Sequence, residues 1–258
     1  MKVLKFKLSG DHAFFKKPDV NTYYYFTYGH VHKIALMGIL GAIMGYGGYS
    51  QQKDRGDVYP EFYTNLKHIK VGIQPWKKGQ VHKGYFTKKV QTFNNTVGYA
   101  NKDGNLIVKE QWLENPSWNI YIIIDGVTED KLCERIVNSR STFVPYLGKN
   151  DHMANIGEIQ IIEGERLSLS QPIIFNSLYL KDHFSISIEN NNDLWSNDYN
   201  PGLNYKYEER LPVELDEVTN QYITRYFVYT NNKVELREKM DEKLLDVLKC
   251  NDNNIYFF

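Results

Sequence analysis

A lysine-rich stretch between residues 62 and 102 is the most suggestive chemical feature of this sequence. It holds eight lysines and no aspartate or glutamate, and aromatic residues are interleaved with the lysines. The lysines are Lys67, Lys70, Lys77, Lys78, Lys83, Lys88, Lys89 and Lys102, and the aromatic residues include Trp76, Tyr85, Phe86, Phe93 and Tyr99. Because ammonium groups neutralise phosphates and aromatic rings stack on bases, this composition favours a single-stranded nucleic-acid surface. The alternative is a solvated β-ribbon whose charge bias is accidental.

A second group of basic residues lies nearer the N-terminus. Lys16 and Lys17 precede a proline in a loop, where they are placed to contact phosphates or to act as ordinary surface charges. The helix that follows begins near His32 and Lys33, with His30 beside it. The N-terminus of a helix presents free N–H groups and a positive dipole end, so this helix is predicted to offer a phosphate site.

Three glycines, Gly38, Gly41 and Gly45, share one face of the same helix. They form neither a P-loop, because no Gly-Lys-Ser/Thr follows, nor a dinucleotide fingerprint, because the spacing is wrong. A glycine stripe lets a helix backbone approach a neighbouring element very closely. The pattern therefore favours tight packing of this helix on a sheet over direct contact with a ligand.

Three neighbouring pairs of histidine and lysine supply the groups that a metal-independent ribonuclease needs. Such an enzyme requires a base for the 2′-OH, an acid for the 5′-O leaving group and a cation for the phosphate. The pairs are His32/Lys33, Lys67/His68 and His82/Lys83. Such pairs are common at protein surfaces, so binding is favoured over catalysis and no catalytic residue is assigned. No HExxH motif, acidic cluster or Cys/His pairing indicates a metal, and no cofactor is expected.

The neutral net charge of the 258-residue chain hides an asymmetry along the sequence. Residues 1–100 carry 15 Lys+Arg against 5 Asp+Glu, whereas residues 101–258 carry 16 against 26. Such asymmetry suggests one part that faces a polyanion and one that faces something else, such as protein neighbours. The two cysteines, Cys133 and Cys250, exclude a disulfide framework and a four-thiolate zinc site.

The elements that position these residues are predicted from the apolar periodicity. In the first part, strands are predicted at residues 3–8, 69–74, 81–93, 106–108, 118–125 and 157–163, and helices at 32–45 and 128–139, the second capped by Thr128. The order is β-α-β, a basic β-ribbon, then β-α-β, which indicates an α+β fold with a ferredoxin-like (RRM-like) N-terminal domain and an inserted ribbon. In the rest of the chain, strands are predicted at residues 172–180, 184–188, 221–229 and 255–258, a helix at 234–249 and a long exposed loop at 190–202. The N-terminal domain is expected to span residues 1–163 and the β-rich C-terminal region residues 164–258.

Nothing in the sequence predicts a membrane protein. The first ten residues alternate charged and apolar side chains, unlike a signal peptide. The longest apolar run, residues 34–44, is too short to span a bilayer. A soluble, cytoplasmic protein is expected.

Three segments in the first 50 residues carry a resemblance to a known family. They are residues 6–10 (Phe-Lys-Leu-Ser-Gly), residues 13–18 (Ala-Phe-Phe-Lys-Lys-Pro) and residues 33–46, which contain Gly-Ile-Leu-Gly-Ala. This succession of strand, lysine-proline loop and glycine helix resembles the CRISPR-associated Cas-five family, which belongs to a repeat-associated RNA-binding superfamily with ferredoxin-like folds. The resemblance covers roughly the first 160 residues.

The resemblance implies a subunit of a type I CRISPR interference complex (Cascade), a ribonucleoprotein of antiviral defence. Such a subunit grips the 5′ handle of crRNA, caps a filament of Cas-seven backbone subunits, contacts the large subunit and meets target DNA through the complex. A β-ribbon thumb arches over the RNA and would fall within about residues 77–113, while Lys16, Lys17 and Lys33 would face the handle. The style of the N-terminus is most similar to subtype I-B, whose subunit is not catalytic.

The alternatives remain an endoribonuclease that processes CRISPR repeat RNA, as in subtype I-C, and a protein–protein module with an acidic partner. In subtype I-C the subunit cuts with Tyr, Lys and His, and here Tyr46 follows the glycine helix. The complete set of predicted RNA-binding residues is Lys16, Lys17, His32, Lys33, Tyr46, Trp76, Lys77, Lys78, Lys83, Tyr85, Phe86, Lys88, Lys89, Lys109 and Lys149.

Overall fold

The computed structural model of the chain describes residues 1–19, 23–95, 106–187 and 204–258, and its secondary structure is mixed α+β and rich in strands. The first elements are β1 (Lys2–Ser9), β2 (His12–Ala13), β3 (Tyr24–Tyr25), α1 (Lys33–Met44), α2 (Tyr49–Arg55), α3 (Glu61–Leu66), β4 (Val71–Pro75), β5 (Lys88–Asn95), β6 (Leu106–Glu114), β7 (Ser117–Ile123) and α4 (Val127–Val137). They are followed by β8 (Asn155–Arg166), β9 (Tyr179–Leu180), β10 (Phe184–Ile186), β11 (Lys206–Leu215), β12 (Tyr222–Thr230), β13 (Val234–Leu236), a 3₁₀ turn (Glu242–Leu244), β14 (Asp246–Cys250) and β15 (Asn253–Phe257).

The main sheet has six strands in the order β15-β14-β8-β1-β7-β4, and every neighbouring pair is antiparallel. Its two edges come together, because Val71 and Phe258 exchange two backbone hydrogen bonds of 3.1 Å. The sheet is therefore nearly closed. Strands from both sides of residue 164 contribute to it.

Alternation along β1 separates the two faces of this sheet. Leu4, Phe6 and Leu8 pack in the main core with α1, as their spacing predicts. Val3 points to the opposite face, where it packs with Tyr121 and other buried residues. β1 therefore anchors two cores at once.

Helix α1 is apolar nearly all round and is mostly buried, in agreement with the sequence prediction. A Cβ added to Gly41 would lie 2.5 Å from the Cβ of Phe62, which belongs to α3. The close approach predicted for the glycine stripe is thus between two helices and not between a helix and a sheet. A Cβ added to Gly38 would meet no atom of another element within 4 Å. Gly45 ends the helix with φ +85°.

The basic ribbon is the antiparallel pair β5–β6, and β6 also pairs with β2 and β3 on its other edge. Residues 81–87 are not part of a strand, contrary to the prediction for 81–93. They form an irregular segment in which Gly84 has φ +90° and buried and exposed side chains alternate. Lys102 and Tyr99 lie outside the described residues.

The second half of the chain differs more from the prediction. The helix predicted at residues 234–249 is β13, the 3₁₀ turn and β14, because Leu248 pairs with Arg166 in the main sheet and its side chain is buried there. Strand β11 was not predicted. Of the strand predicted at 172–180, residues 179–180 form β9 and Ile173 makes an isolated antiparallel bridge to Val234. Helix α4 is capped by Gly126 instead of Thr128. The loop predicted at 190–202 lies outside the described residues.

Candidate nucleic-acid interface

A cavity of 530 Å³ lies at the base of the ribbon, between the end of β4 and the start of β7. We call it the lysine cavity. Its lining includes Trp76, Lys77, Lys78, His82, Lys83, Tyr85 and Ser117. The three lysines and Tyr85 are exposed. Trp76, Lys77, Lys78, Lys83 and Tyr85 were all predicted to bind RNA, and the fold brings them together around one space.

The wall of the lysine cavity is held by the main sheet. The backbone N–H of Trp76 donates to the carbonyl of Ser117 at 2.9 Å. On the sheet face, Lys7 Nζ lies 3.6 Å from the centroid of the Trp76 ring and forms an ion pair of 3.0 Å with Glu158. The indole is therefore positioned by a cation on one of its faces.

Phe86 has a different role from the one predicted for it. Its ring is 9% exposed and packs 5.1 Å from Trp118 and 5.5 Å from His30, between ring centroids. It supports the cavity from the core side and is not presented for stacking. His82 is also buried, and its Nδ1 accepts the N–H of Gly84 at 3.0 Å. Burial lowers the pKa of His82 to about 4, so the ring is neutral near pH 7.

One face of the ribbon carries a cluster that composition alone did not find. Trp112 stands opposite Lys89, and Phe93 lies four residues further along β5, on the same face. Lys149, from beyond α4, reaches the rings of Phe93 and Trp112 at 4.8 and 5.4 Å and forms an ion pair of 3.0 Å with Glu110. We call these residues the Trp112 face. Its lysines and aromatics have the composition predicted for RNA, but the charge of Lys149 is already compensated.

The opposite face of the ribbon holds Lys88 and Lys109. Lys17 forms an ion pair of 2.7 Å with Glu209, a largely buried carboxylate. Burial lowers the pKa of Lys88, and Glu209 acts against this effect. Lys17 and Lys88 are therefore brought together around one carboxylate, whereas Lys109 is exposed further along the ribbon.

The glycine helix lies beside a second open space of 780 Å³, the α1 groove. Lys16 and the half-buried Tyr46 both line it, and Lys16 Nζ lies 4.0 Å from the ring centroid of Tyr25. Lys33 does not reach this groove. It lines a separate space of 840 Å³, and burial lowers its pKa to about 8, against the opposing effect of Glu214.

The two histidines next to the start of α1 are structural. His32 is 2% exposed, and its Nδ1 caps the helix by accepting the N–H of Ala35 at 3.2 Å. His30 is fully buried between the indole N–H of Trp118 at 3.1 Å and the carbonyl of Gly84 at 2.7 Å. His30 is enclosed in the core, and His32 borders the α1 groove with its Nδ1 already engaged, so Lys33 supplies the positive side chain at this helix end.

Within the described ranges, no group of three His, Cys, Asp or Glu side chains is placed to hold a metal ion. Among the helices that the structure describes, none is long and apolar enough to cross a membrane.

No protein-family model matches the sequence, and no curated protein matches it in sequence. Solved structures do match. A chain of a CRISPR RNA-guided surveillance complex superimposes with a TM-score of 0.51 at 10% identity, over 91% of each chain. A CRISPR protein from Archaeoglobus fulgidus superimposes with a TM-score of 0.51 at 7% identity, over 99% of this chain and 98% of the other.

The chain has the fold of CRISPR-associated proteins. The likeness extends over nearly the whole chain, including the C-terminal region for which the sequence resemblance offered little. At 10% and 7% sequence identity, these superpositions show a shared fold.

Proposed function

We propose that this chain is a non-catalytic RNA-binding subunit of a CRISPR interference complex. The observation that carries the proposal is the lysine cavity together with the adjoining basic ribbon, on a fold shared with a chain of an RNA-guided surveillance complex. Lysines beside exposed aromatic rings are the groups that hold single-stranded RNA, because phosphates and bases are both accessible in a single strand.

Strand order supports a ferredoxin-like N-terminal domain. Strands β8-β1-β7-β4 are adjacent and antiparallel, α1 follows β1 and α4 follows β7, which is the arrangement of two interleaved β-α-β units. The ribbon β5–β6 is then an insertion between β4 and β7. We infer that it corresponds to the thumb of the Cas-five family.

The finer assignment follows from the sequence resemblance. The chain would hold the 5′ handle of crRNA, cap a filament of Cas-seven-type subunits and contact the large subunit, with target DNA reached through the complex. The acidic half of the sequence would face these protein neighbours. The N-terminal sequence is most similar to that of subtype I-B. A subunit of such a complex would be located in the cytoplasm.

The placement of the histidines supports binding without cleavage. His32 and His82 each accept a backbone N–H through Nδ1, and both are buried. His68 Nε2 lies 3.0 Å from Glu129 Oε1. The histidines of the three His–Lys pairs thus each have a local partner, and Lys33, Lys67 and His68 line one space of 840 Å³ that lacks His32 and His82.

Two measurements on the wild-type protein test the proposal. Affinity for a labelled single-stranded repeat RNA, measured at several salt concentrations, is expected to fall steeply with salt, with a slope of about −0.7 per phosphate contact. Binding that does not depend on salt would contradict phosphate contacts and favour the protein–protein module. Incubation of the same RNA in EDTA is expected to leave it intact, and site-specific cleavage would overturn the non-catalytic assignment.

A further inference from the structure

The hydroxyl of Ser117 is a buried polar group that lacks a hydrogen-bond partner among the described residues. Ser117 is 8% exposed and is the first residue of β7. Leaving a buried hydroxyl unpaired costs about 1–3 kcal/mol, so each such group in a folded protein calls for an explanation. The position of Ser117 supplies one, because the residue lines the lysine cavity.

A second polar group that lines the cavity has a defined hydrogen-bonding role. Because His82 Nδ1 accepts the N–H of Gly84, the neutral imidazole carries its proton on Nε2 and can donate from there. Glu114 also lines the cavity, and a carboxylate there can only accept. The lining thus combines a donor, an acceptor and a hydroxyl that can do either.

The remaining lining residues suit the other parts of a nucleotide. Tyr85 is 66% exposed and offers a ring for stacking, whereas one face of Trp76 is already taken by Lys7. Three lysines against one carboxylate leave the cavity with an excess of positive charge. A volume of 530 Å³ lies within the range of about 300–1,000 Å³ that is usual for small-ligand sites.

We propose that the lysine cavity receives one flipped-out nucleotide of the bound RNA and reads its base. The base stacks on Tyr85, its edge meets Ser117 Oγ, His82 Nε2 and the Glu114 carboxylate, and lysines hold the neighbouring phosphates. An exocyclic amino group donates one hydrogen to the Glu114 carboxylate and the other to Ser117 Oγ, so adenine and cytosine are preferred over uracil, which lacks such a group. This inference rests on the proposed function and adds a base preference to it.

The test compares the affinities of ten-nucleotide rA, rC and rU oligomers for the full-length protein at one salt concentration. The wild type is expected to bind rA and rC about ten-fold more tightly than rU, and Ser117→Ala to bring these affinities within about two-fold of each other. Ser141→Ala, at an exposed serine outside the cavity, is the matched control and keeps the wild-type ratio.

Two further variants keep the test decisive if Ser117→Ala folds poorly. Tyr85 is on the surface, so Tyr85→Ala is expected to fold and to weaken rA binding by roughly five-fold or more. Tyr226→Ala, at an exposed tyrosine on β12, is its control and leaves binding unchanged.

The outcomes separate this inference from the function on which it rests. Salt-dependent binding with equal affinities for the three oligomers, unaltered by Ser117→Ala and Tyr85→Ala, overturns the nucleotide site and leaves RNA binding intact. Binding that does not depend on salt contradicts the proposed function itself.

Discussion

Lys7 and Trp76 form a close cation–π pair, with Lys7 Nζ 3.6 Å from the centroid of the indole. The two residues come from β1 and from the residue after β4, which are separated in the main sheet by β7. Glu158 on β8 forms an ion pair of 3.0 Å with the same ammonium group. One lysine therefore ties the wall of the lysine cavity to the centre of the sheet.

Replacing this lysine tests its structural role. Lys7→Met keeps the aliphatic stem and removes the charge, and we expect it to lower the free energy of unfolding by about 0.5–2 kcal/mol. Chemical denaturation measures the change. Lys53→Met, on the exposed face of α2, is the control and is expected to change stability by less than about 0.5 kcal/mol. Equal effects of the two substitutions would mean that the pair with Trp76 contributes nothing.

The glycine helix gives a pair of predictions of opposite sign. Gly41→Ala places a Cβ 2.5 Å from that of Phe62, and we expect the overpacking to cost about 1–3 kcal/mol. Gly38→Ala meets nothing within 4 Å and should stabilise the protein by up to about 1 kcal/mol, because alanine favours the helix. Thermal and urea denaturation of both variants check the signs. A stable Gly41→Ala variant would contradict the packing of α3 on α1.

Sequence reasoning found much of the first half of the fold. β1, α1, β4, β7, α4 and β8 were predicted to within a few residues, because alternation or an apolar run marks all but α4, which its acidic first turn and the spacing of Leu132 and Ile136 indicate. The second half was harder. Leu236, Met240, Leu244 and Leu248 are spaced as on a helix, but Leu244 is 77% exposed and Leu248 completes the main sheet. α2 and α3 are short and polar or aromatic, so periodicity did not reveal them.

The residues of the candidate site also fall into those that the sequence predicted and those that it did not. Lysines and aromatics close together in sequence, such as Lys77 and Tyr85, were found from composition. Lys7, Trp112 and Ser117 were missed, because strand register and loop packing bring them to the interface from distant positions. Pairing β5 with β6 in register would have placed Trp112 opposite Lys89.

Stability is expected to fall in mild acid. Burial lowers the pKa of His30 to about 4 and of His32 to about 3, whereas unfolded histidines titrate near 6.5. The unfolded chain therefore binds more protons below pH 6.5, so this stability is complete above pH 6.5 and is lost as the pH falls towards 4.

Each of these histidines contributes a slope of about 1.4 kcal/mol per pH unit in that window. Urea denaturation at pH 7.5 and pH 5.5 measures the difference. His32→Asn keeps a capping acceptor for the Ala35 N–H and removes one titrating group, so its loss of stability between the two pH values should be smaller. Equal stability of the wild type at both pH values would contradict the burial of these imidazoles.

The most direct test of the central claim is the affinity of single-stranded repeat RNA for a variant with charge reversal in the lysine cavity. Lys77→Glu/Lys78→Glu/Lys83→Glu is compared with Lys53→Glu/Lys131→Glu/Lys239→Glu, which makes the same charge change at exposed lysines outside the interface. The cavity variant is predicted to lose at least ten-fold in affinity and to flatten the salt slope by about two. The control variant should stay within about three-fold of the wild type, a range of roughly 0.65 kcal/mol. Equal losses in the two variants would contradict the assignment of this cavity and its ribbon as the RNA-binding surface.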